Sequence, residues 1–349
     1  MNYATQQAIS WTEQGLVPDS VIRGGIRRLL RSRLAELRAD DVEQAAKTTA
    51  RFIAEMNIGP IAPLPHKANE QHYELPPEFF AEALGPQRKY SACYWGADVQ
   101  DLAAAEEQAL ALTCEHAQLA DGQHVLELGC GWGSLTLYMA ARFPRSTITA
   151  VSNSVPQRDY IVAEARRRSL DNIEVITRDM NSFAIERRFD RIVSVEMFEH
   201  MRNYSRLFEN LRGWLTPDGK FFMHIFVHRS VPYAFEDLDA DDWMSRHFFS
   251  GGMMPSAALP LHFQRHLRLE RQWNWNGQHY EKTANAWLAN LDARRARVLP
   301  ILEANYGREG AAIWLQRWRI FFMACAELWG FRDGREWFVG HYLFQPQRS

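Results

Sequence analysis

Short apolar segments alternate with helical ones between about residues 98 and 228, and this alternation restricts the fold more than any other feature of the sequence. Apolar spacing predicts helices at 98–119, 134–142, 157–168 and 202–215. Short segments predicted as strands lie at 124–128, 147–152, 173–177, 189–195 and 220–227. Repeated strand–helix–strand units pack as a parallel sheet, since each crossover returns the chain to the same end of the sheet. The sequence therefore predicts an α/β fold with a doubly wound sheet, and a last strand at 337–344 would close one edge.

Helical segments precede and follow the alternating region. We expect residues 1–75 to form a helical N-terminal cap on a main domain at 76–349, in which 229–335 supply much of a substrate cover. Between Ile22 and Leu37, apolar residues recur at helical spacing among arginines. This pattern is typical of a cap helix with a solvated arginine face, and it also fits a basic helix on a membrane surface. The cap interpretation is favoured, and peripheral membrane contact is kept as the less favoured alternative.

A glycine-rich loop follows the first predicted strand and opens a helix. The segment ELGCGWG at 127–133 permits a tight turn and a close backbone approach to a ligand. A dinucleotide fingerprint would place its third glycine one residue later and an acidic residue near 150–153, where none occurs. There is also no GK[ST] sequence for a triphosphate. A strand, E-x-G-x-G-x-G and a helix are instead typical of binding to S-adenosylmethionine (SAM).

Polar residues occupy the positions where such a sheet would present them to SAM. The backbone of Gly129 and Gly131 would approach the cofactor, and Asn153 follows the second strand, where its amide could bind the ribose hydroxyls. Gln157 lies one helical turn further on, and Asp179 follows the third strand, where it could accept the adenine amino group. We therefore expect these five residues to bind SAM.

Charge and cysteine content exclude several other classes. The chain has 40 basic and 42 acidic residues, so it lacks the basic excess that neutralises phosphates, and nucleic acid is not an expected partner. Four cysteines without a CxxC pair predict neither a disulfide scaffold nor structural zinc, and no metal is expected. Without a recognisable leader or an uncharged apolar span, the expected location is cytoplasmic. If the chain associates, a homodimer is the expected assembly because dimers are the commonest oligomers.

Eight ordered motifs cover nearly the whole chain: QHYELP at 71–76, YSACYW at 90–95, ELGCGWG at 127–133, VSNSVPQ at 151–157, DRIVSVEMFEHMRNY at 190–204, FEDLDADDWMSRHFFSGGMMPS at 235–256, NGQHY at 276–280 and ELWGF at 327–331. With them the chain resembles the coclaurine N-methyltransferase family, a branch of the cyclopropane-fatty-acyl-phospholipid-synthase-like SAM-dependent methyltransferases. The resemblance implies a Rossmann-like class I methyltransferase fold, SAM as cofactor, and N-methylation of a small cyclic amine of the benzylisoquinoline or tetrahydroisoquinoline kind.

The resemblance also implies site residues. Tyr90 and Ser91 match residues that contact SAM in the family. The EMFEH motif supplies Glu196, Glu199 and His200 as residues that contact the amine or act in catalysis. The residues expected around the substrate are Tyr73, Tyr94, His224, Phe226, Tyr280, Trp329 and Phe331.

Methylation of an amine requires a base, because a protonated amine has no free lone pair. An amine with a pKa near 10 is mostly protonated at pH 7, and removing the proton costs about 4 kcal/mol. Glu196, Glu199 and His200 have i, i+3 and i+4 spacing, which on a helix would place them on one face. We expect Glu199 and His200 to act as the base pair and Glu196 to hold the ammonium group. The rings expected to hold the SAM sulfonium by cation–π contact are those of Tyr90, Tyr94 or Trp95.

The alternative implied by the resemblance is a lipid-modifying enzyme, either a cyclopropane-fatty-acyl-phospholipid synthase or a fatty-acyl C-methyltransferase. Cyclopropane synthases hold a bicarbonate ion with a cysteine, a glutamate, a histidine and a tyrosine. The matching positions here are Ala92, Glu199, His224 and Tyr280, so the cysteine is missing. Cys93 is adjacent, but an offset of one residue would point its side chain elsewhere. This departure favours the amine as substrate.

Overall fold

A seven-stranded sheet forms the centre of the protein, as shown by a computed structural model that describes residues 3–64, 75–236 and 242–347. The strand order is β3-β2-β1-β4-β5-β9-β8. Strands β1 to β5 are parallel, whereas β9 runs antiparallel to both β5 and β8. The strands are β1 (His124–Leu128), β2 (Thr147–Ser152), β3 (Ile173–Thr177), β4 (Phe189–Val195), β5 (Leu215–His228), the short pair β6 (Tyr233–Ala234) and β7 (Met253–Met254), β8 (Leu267–Trp275) and β9 (Trp337–Pro346).

Helices cover both faces of the sheet and one of its ends. Two short 3₁₀ helices, Phe198–His200 and Leu259–Phe263, follow β4 and β7. The α-helices of the described residues are α1 (Tyr3–Glu13), α2 (Asp19–Leu37), α3 (Val42–Met56), α4 (Pro77–Ala83), α5 (Leu102–His116), α6 (Ser134–Arg142), α7 (Val155–Arg167), α8 (Tyr204–Trp214), α9 (Trp243–His247), α10 (Gln278–Ala293) and α11 (Arg295–Gly330).

The predicted fold class is confirmed, and the first four predicted strands have the observed bounds. Strand β5 begins at Leu215 rather than at residue 220, and β9 continues to Pro346. Strand β8 was not predicted from the sequence. Its apolar residues Leu267, Leu269, Trp273 and Trp275 alternate with polar ones, but Arg271 breaks the alternation where the strand register shifts. The helix predicted from residue 98 begins at Leu102. Asp101 is the cap, and its Oδ1 accepts the Ala104 N–H at 2.8 Å.

The arginine-rich helix α2 lies against α11, as expected for a cap helix. Arg23 and Arg27 both pair with Glu327 of α11, at 2.9 and 2.7 Å. Four apolar residues of α2 are used in the same contact, whereas Val21 and Leu29 are exposed. Among the described residues, no helix is both long and apolar enough to cross a membrane. The apolar residues of α2 that join the core are Ile22, Ile26, Leu30 and Leu34.

Much of the tryptophan content is core. Trp287, Trp318 and Trp337 are all less than 2% exposed, and they pack with phenylalanines of α4 and α11. Large rings of this kind remove much apolar area from water, at roughly 25 cal/mol per Å². This core fixes α10 and α11 above the carboxyl ends of the sheet strands, where the polar residues of the site lie.

Candidate functional site

The glycine loop after β1 brings backbone to the carboxyl end of the sheet. Gly129 has φ of +76°, and its N–H donates to the Val151 carbonyl of β2 at 2.9 Å. A Cβ at position 129 would lie 2.7 Å from Cβ of Met197, so a side chain is excluded there. Gly131 also has a positive φ, of +52°, but a Cβ there would meet open space. The loop therefore leaves room for a ligand beside its own backbone.

Two clefts open on either side of this loop and share Gly129, Gly131 and Glu196 in their walls. The first, of about 760 Å³ including its mouth, is bounded by Asn153 and Gln157. The second, of about 590 Å³, lies between the 88–91 segment and the start of α6. The shared wall makes them two ends of one elongated site, with Glu196 at the junction.

The polar groups in these clefts fit SAM. The Gln157 Nε2 is buried without a hydrogen-bond partner among the described residues, although its Oε1 accepts from Ser152 at 2.7 Å. In the second cleft, Ser134 Oγ at the start of α6 is also buried and unpaired within the described part of the chain. Helix starts favour anionic groups such as the SAM carboxylate. Tyr90 and Ser91 line the same cleft, as their predicted role requires.

Several residues predicted to contact SAM do not line either cleft. Asp179 instead accepts the Asn181 N–H at 2.7 Å, and its role at adenine stays a prediction. Tyr94 stacks on His279 of α10 with ring centroids 4.1 Å apart. Trp95 is also held by α10, since its indole N–H donates to Thr283 Oγ1 at 3.0 Å. Of the three rings proposed for the sulfonium, Tyr90 is the one that lines a cleft.

Glu196 is held by donors from three separate parts of the chain. Its Oε1 accepts the Ala92 N–H at 2.9 Å and faces His224 Nε2 at 3.2 Å, and its Oε2 accepts the Tyr280 hydroxyl at 2.8 Å. Burial alone would raise the pKa of Glu196, but the hydrogen bond from His224 and the positive charge of Lys89 bring it below its usual value. The side chain is therefore a buried carboxylate with its charge retained.

Glu199 and His200 are in the opposite electrostatic situation. Burial, followed by the charge of Glu196, raises the pKa of Glu199 well above its usual value. Its Oε1 accepts the Phe226 N–H at 2.7 Å, and its buried Oε2 has no partner among the described residues. Burial lowers the pKa of His200 to about 4, so the ring is neutral at pH 7. His200 lines the first cleft, and its ring stacks on Phe249.

The three EMFEH residues do not share the face of one helix, so that expectation was wrong. Glu196 lies before the 3₁₀ helix and has φ of +48°, in the left-handed region. Its N–H donates to the His224 carbonyl of β5 at 2.9 Å, which ties this backbone to the sheet. A non-glycine residue in this conformation costs roughly 1–3 kcal/mol and is typical of functional sites. The strained backbone turns Glu196 toward the junction of the clefts.

The residues expected around the substrate form two groups. Tyr280 stacks on Trp329 at 4.8 Å, with the rings nearly parallel, and Phe226 lies 5.3 Å from Trp329. This aromatic group adjoins the Glu196 carboxylate through the Tyr280 hydroxyl. Phe331 packs instead on Trp337, at 5.5 Å. Tyr73 lies outside the described residues.

The side chain of Cys93 points away from the position of residue 92, as expected for an offset of one residue. The backbone of Ala92 faces Glu196, whereas the Cys93 sulfur lies 3.7 Å from the Ser91 carbonyl. Burial raises the pKa of Cys93 to about 12, so the thiol stays protonated. Cys93 therefore does not replace a ligand at position 92.

Sequence reasoning missed several polar residues of this region. Lys89 is buried and its ammonium donates to Ser91 Oγ and the Ala92 carbonyl, at 2.5 and 2.6 Å. Glu127, in the ELGCGWG motif itself, lines the second cleft and accepts from Thr136, while burial raises its pKa to about 8. The position of Glu127 at the start of the glycine motif could have identified it from the sequence. No sequence pattern indicated that Lys89 would be buried in the site.

Comparison with known proteins identifies the family. The family model for mycolic acid cyclopropane synthetase matches residues 64–336. The chain belongs to this family. The (S)-coclaurine N-methyltransferase of Thalictrum flavum subsp. glaucum is 36% identical over 339 residues, which cover 96% of this chain and 94% of that one. The cyclopropane-fatty-acyl-phospholipid synthase of Escherichia coli (strain K12) is 30% identical over 77% of this chain and 66% of its own length.

A solved structure agrees with the same assignment. The crystal structure of a coclaurine N-methyltransferase bound to N-methylheliamine and SAH has a TM-score of 0.95 and 36% identity, and covers 98% of this chain and 99% of that one. SAH is what remains of SAM after methyl transfer. The predicted family, the class I fold, the enzyme class of a SAM-dependent methyltransferase and its cofactor are therefore confirmed.

The close approach at Gly129 predicts a specific loss of cofactor affinity. Gly129→Ala places a Cβ against Met197 in a left-handed backbone, at a cost of roughly 1–3 kcal/mol, so SAH affinity measured by calorimetry should fall about tenfold or more. Gly122→Ala is the matched control, because Gly122 also has a positive φ but no atom within 4 Å of the added Cβ. Equal SAH affinities for the two variants would contradict the assignment of this loop.

Proposed function

We propose that the protein transfers the methyl group of SAM to the nitrogen of a small cyclic secondary amine, with a benzylisoquinoline or tetrahydroisoquinoline type of skeleton. The observation that carries this proposal is the charged carboxylate of Glu196 at the junction of the two clefts. A buried negative charge there attracts an ammonium group. The similarity to coclaurine N-methyltransferase over nearly the full length of both chains supports the same substrate class.

The arrangement around Glu196 favours an amine over the lipid alternative. Three positions that the cyclopropane synthases would use for bicarbonate are Ala92, His224 and Tyr280. Here all three donate toward the Glu196 carboxylate, through the N–H of Ala92, the His224 ring and the Tyr280 hydroxyl. The protein's own carboxylate thus uses the donors that would otherwise hold a separate anion. A lipid-modifying enzyme remains the second candidate, since Glu199, His224 and Tyr280 match its pattern.

The proposed reaction releases one proton for each methyl group transferred. SAM, when bound, supplies an electrophilic methyl group. The secondary ammonium must lose a proton before its nitrogen lone pair can form the N–C bond, and the product is again an ammonium ion. Neutral His200 lines the cleft and can accept that proton, while charged Glu196 holds the ammonium. Of the expected base pair, His200 fits the role better than Glu199, whose raised pKa keeps it protonated.

The aromatic residues beside Glu196 are proposed to bind the ring system of the amine. Tyr280, Trp329 and Phe226 are all less than 8% exposed and adjoin the Glu196 carboxylate through the Tyr280 hydroxyl. Apolar walls around one fixed charge suit a cyclic amine better than a strongly hydrated cation. We propose a small-molecule amine as the partner, whereas a homodimer and a cytoplasmic location stay predictions.

A panel of cyclic secondary amines with labelled SAM tests this function directly. The purified enzyme should label amines, and Glu196→Gln should lower kcat/KM by about a hundredfold or more while SAH affinity is kept, because the charge that holds the ammonium is lost. Glu270→Gln is the control, since Glu270 is also a partly buried carboxylate, paired with Lys220, but lines neither cleft. Transfer of the label to phospholipid and to no amine would overturn the proposal in favour of the lipid alternative.

The assignment of His200 predicts the acid side of the pH profile. Burial disfavours the charged ring and lowers the pKa of His200 to about 4, so the neutral base persists from neutral pH down to about pH 4 and is lost below it. The logarithm of kcat/KM should therefore stay free of an inflection between pH 6 and 7. An inflection near pH 6.5 in the wild type that disappears in His200→Ala would contradict the lowered pKa of His200, and a rate and profile unchanged in His200→Ala would contradict its role as the base.

A further inference from the structure

Three histidines connect Glu196 to the protein surface through consecutive hydrogen bonds. His224 of β5 faces Glu196 Oε1 with its Nε2 at 3.2 Å, and its Nδ1 lies 2.8 Å from Nε2 of His341 on β9. The Nδ1 of His341 in turn lies 2.8 Å from Nδ1 of His116, the last residue of α5. His224 and His341 are 0% exposed, whereas His116 is partly exposed. The chain of rings therefore begins at the carboxylate in the site and ends at solvent.

The direction of these hydrogen bonds and the charge on Glu196 depend on each other. A carboxylate can only accept, so His224 must carry its proton on Nε2. A neutral imidazole then presents a lone pair at Nδ1, so His341 must donate from Nε2. By the same argument His341 accepts at Nδ1, and His116 must donate from its own Nδ1. The four groups thus form a single polarised series in which every N–H points toward Glu196.

The surroundings keep these rings neutral. Burial lowers the pKa of His224 and His116, and lowers that of His341 well below its usual value. Lys89 faces His224 and His341 with a further positive charge, whereas Glu115 beside His116 acts in the opposite direction. Aromatic rings exclude water along the series. Those rings are Trp273 stacked on His116, Trp275 against His341 and His224, and Phe222 against His341.

We propose that His341 and His116 are positioning residues: acting in series, they hold His224 in the tautomer that donates Nε2–H to Glu196, and so keep that carboxylate charged and aimed at the amine. Neither residue touches a cleft, and their effect passes entirely through His224. The logic is that of a catalytic triad, in which a buried group fixes the tautomer of a histidine that acts elsewhere. The identity of the amine rests on the proposed function, but the tautomer does not.

Paired substitutions distinguish the effect of losing the hydrogen bond from the effect of losing the volume of the ring. The amide nitrogen of glutamine can take the place of Nε2 of a histidine, so His341→Gln keeps the donor for His224, and His341→Met removes it at similar size. Likewise the amide nitrogen of asparagine can take the place of Nδ1, so His116→Asn keeps the donor for His341 and His116→Leu removes it. The second pair lies at the surface and guards against a fold defect. His266→Gln, at a partly exposed histidine outside the series, is the control.

Nitrogen NMR of protein labelled with ¹⁵N-histidine reads the tautomer without any substrate. In the wild type, in His341→Gln, in His116→Asn and in His266→Gln, His224 should carry its proton on Nε2 alone. In His341→Met and His116→Leu, His224 should populate both tautomers, because its Nδ1 is no longer fixed as an acceptor. A wild-type His224 protonated on Nδ1, or a tautomer that is insensitive to both removals, would overturn the proposal.

The pH profile of amine methylation provides the second readout. When His224 ceases to donate to Glu196, the pKa of Glu196 rises. The acid limb of kcat/KM, to which both Glu196 and His200 contribute, should then move to higher pH in His341→Met and His116→Leu, by about one unit and hence up to a tenfold loss at a given acidic pH. His341→Gln and His116→Asn should restore the wild-type limb, and unchanged limbs in the removal variants would overturn the proposal. A wild type that methylates no amine would refute the proposed function, and the NMR result would still decide the tautomer.

Discussion

The buried carboxylate of Glu196 is the interaction on which the rest of the site depends. An ionised carboxylate in a low-dielectric interior is costly unless several donors surround it. Here the donors come from the Ala92 backbone, His224 on β5 and Tyr280 on α10, so three separate parts of the chain must be in place before the charge is tolerated. The same contacts hold α10 against the sheet. The two clefts and α10 are thereby joined at one residue.

A backbone hydrogen bond to the sheet, rather than side-chain packing, fixes the position of the Glu196 carboxylate. Glu196 directly follows β4, and its N–H donates to the carbonyl of His224 on the neighbouring strand. Its left-handed conformation is the strained element that turns the side chain toward the clefts. Met197, the next residue, lies against Gly129, which explains why the loop after β1 requires glycine. Cofactor loop and charged residue therefore constrain one another through direct contact.

The strands could be predicted because each one is short, apolar and bounded by turns, and this local pattern determines a buried parallel strand. The edge strand β8 was missed because Arg271 interrupts its apolar alternation at a shift of the strand register. The motifs brought Glu196, Glu199 and His200 to attention, but their helical spacing misled, because a left-handed residue interrupts the turn. The contacts of Tyr94 and Trp95 could not be predicted for a related reason: local sequence does not reveal that α10 holds their side chains. The contact between His116 and His341 spans 225 residues, and no local pattern encodes it.

The charge on Glu196 can be measured directly. Carbon NMR of protein labelled with ¹³C-glutamate at the side-chain carboxyl, assigned by comparison with Glu196→Gln, follows this single group through a pH titration. Glu196 should remain ionised at pH values below the usual pKa of a glutamate side chain. Its resonance should shift when a cyclic amine is added. A Glu196 carboxyl that is protonated at neutral pH and does not respond to the amine would contradict both expectations.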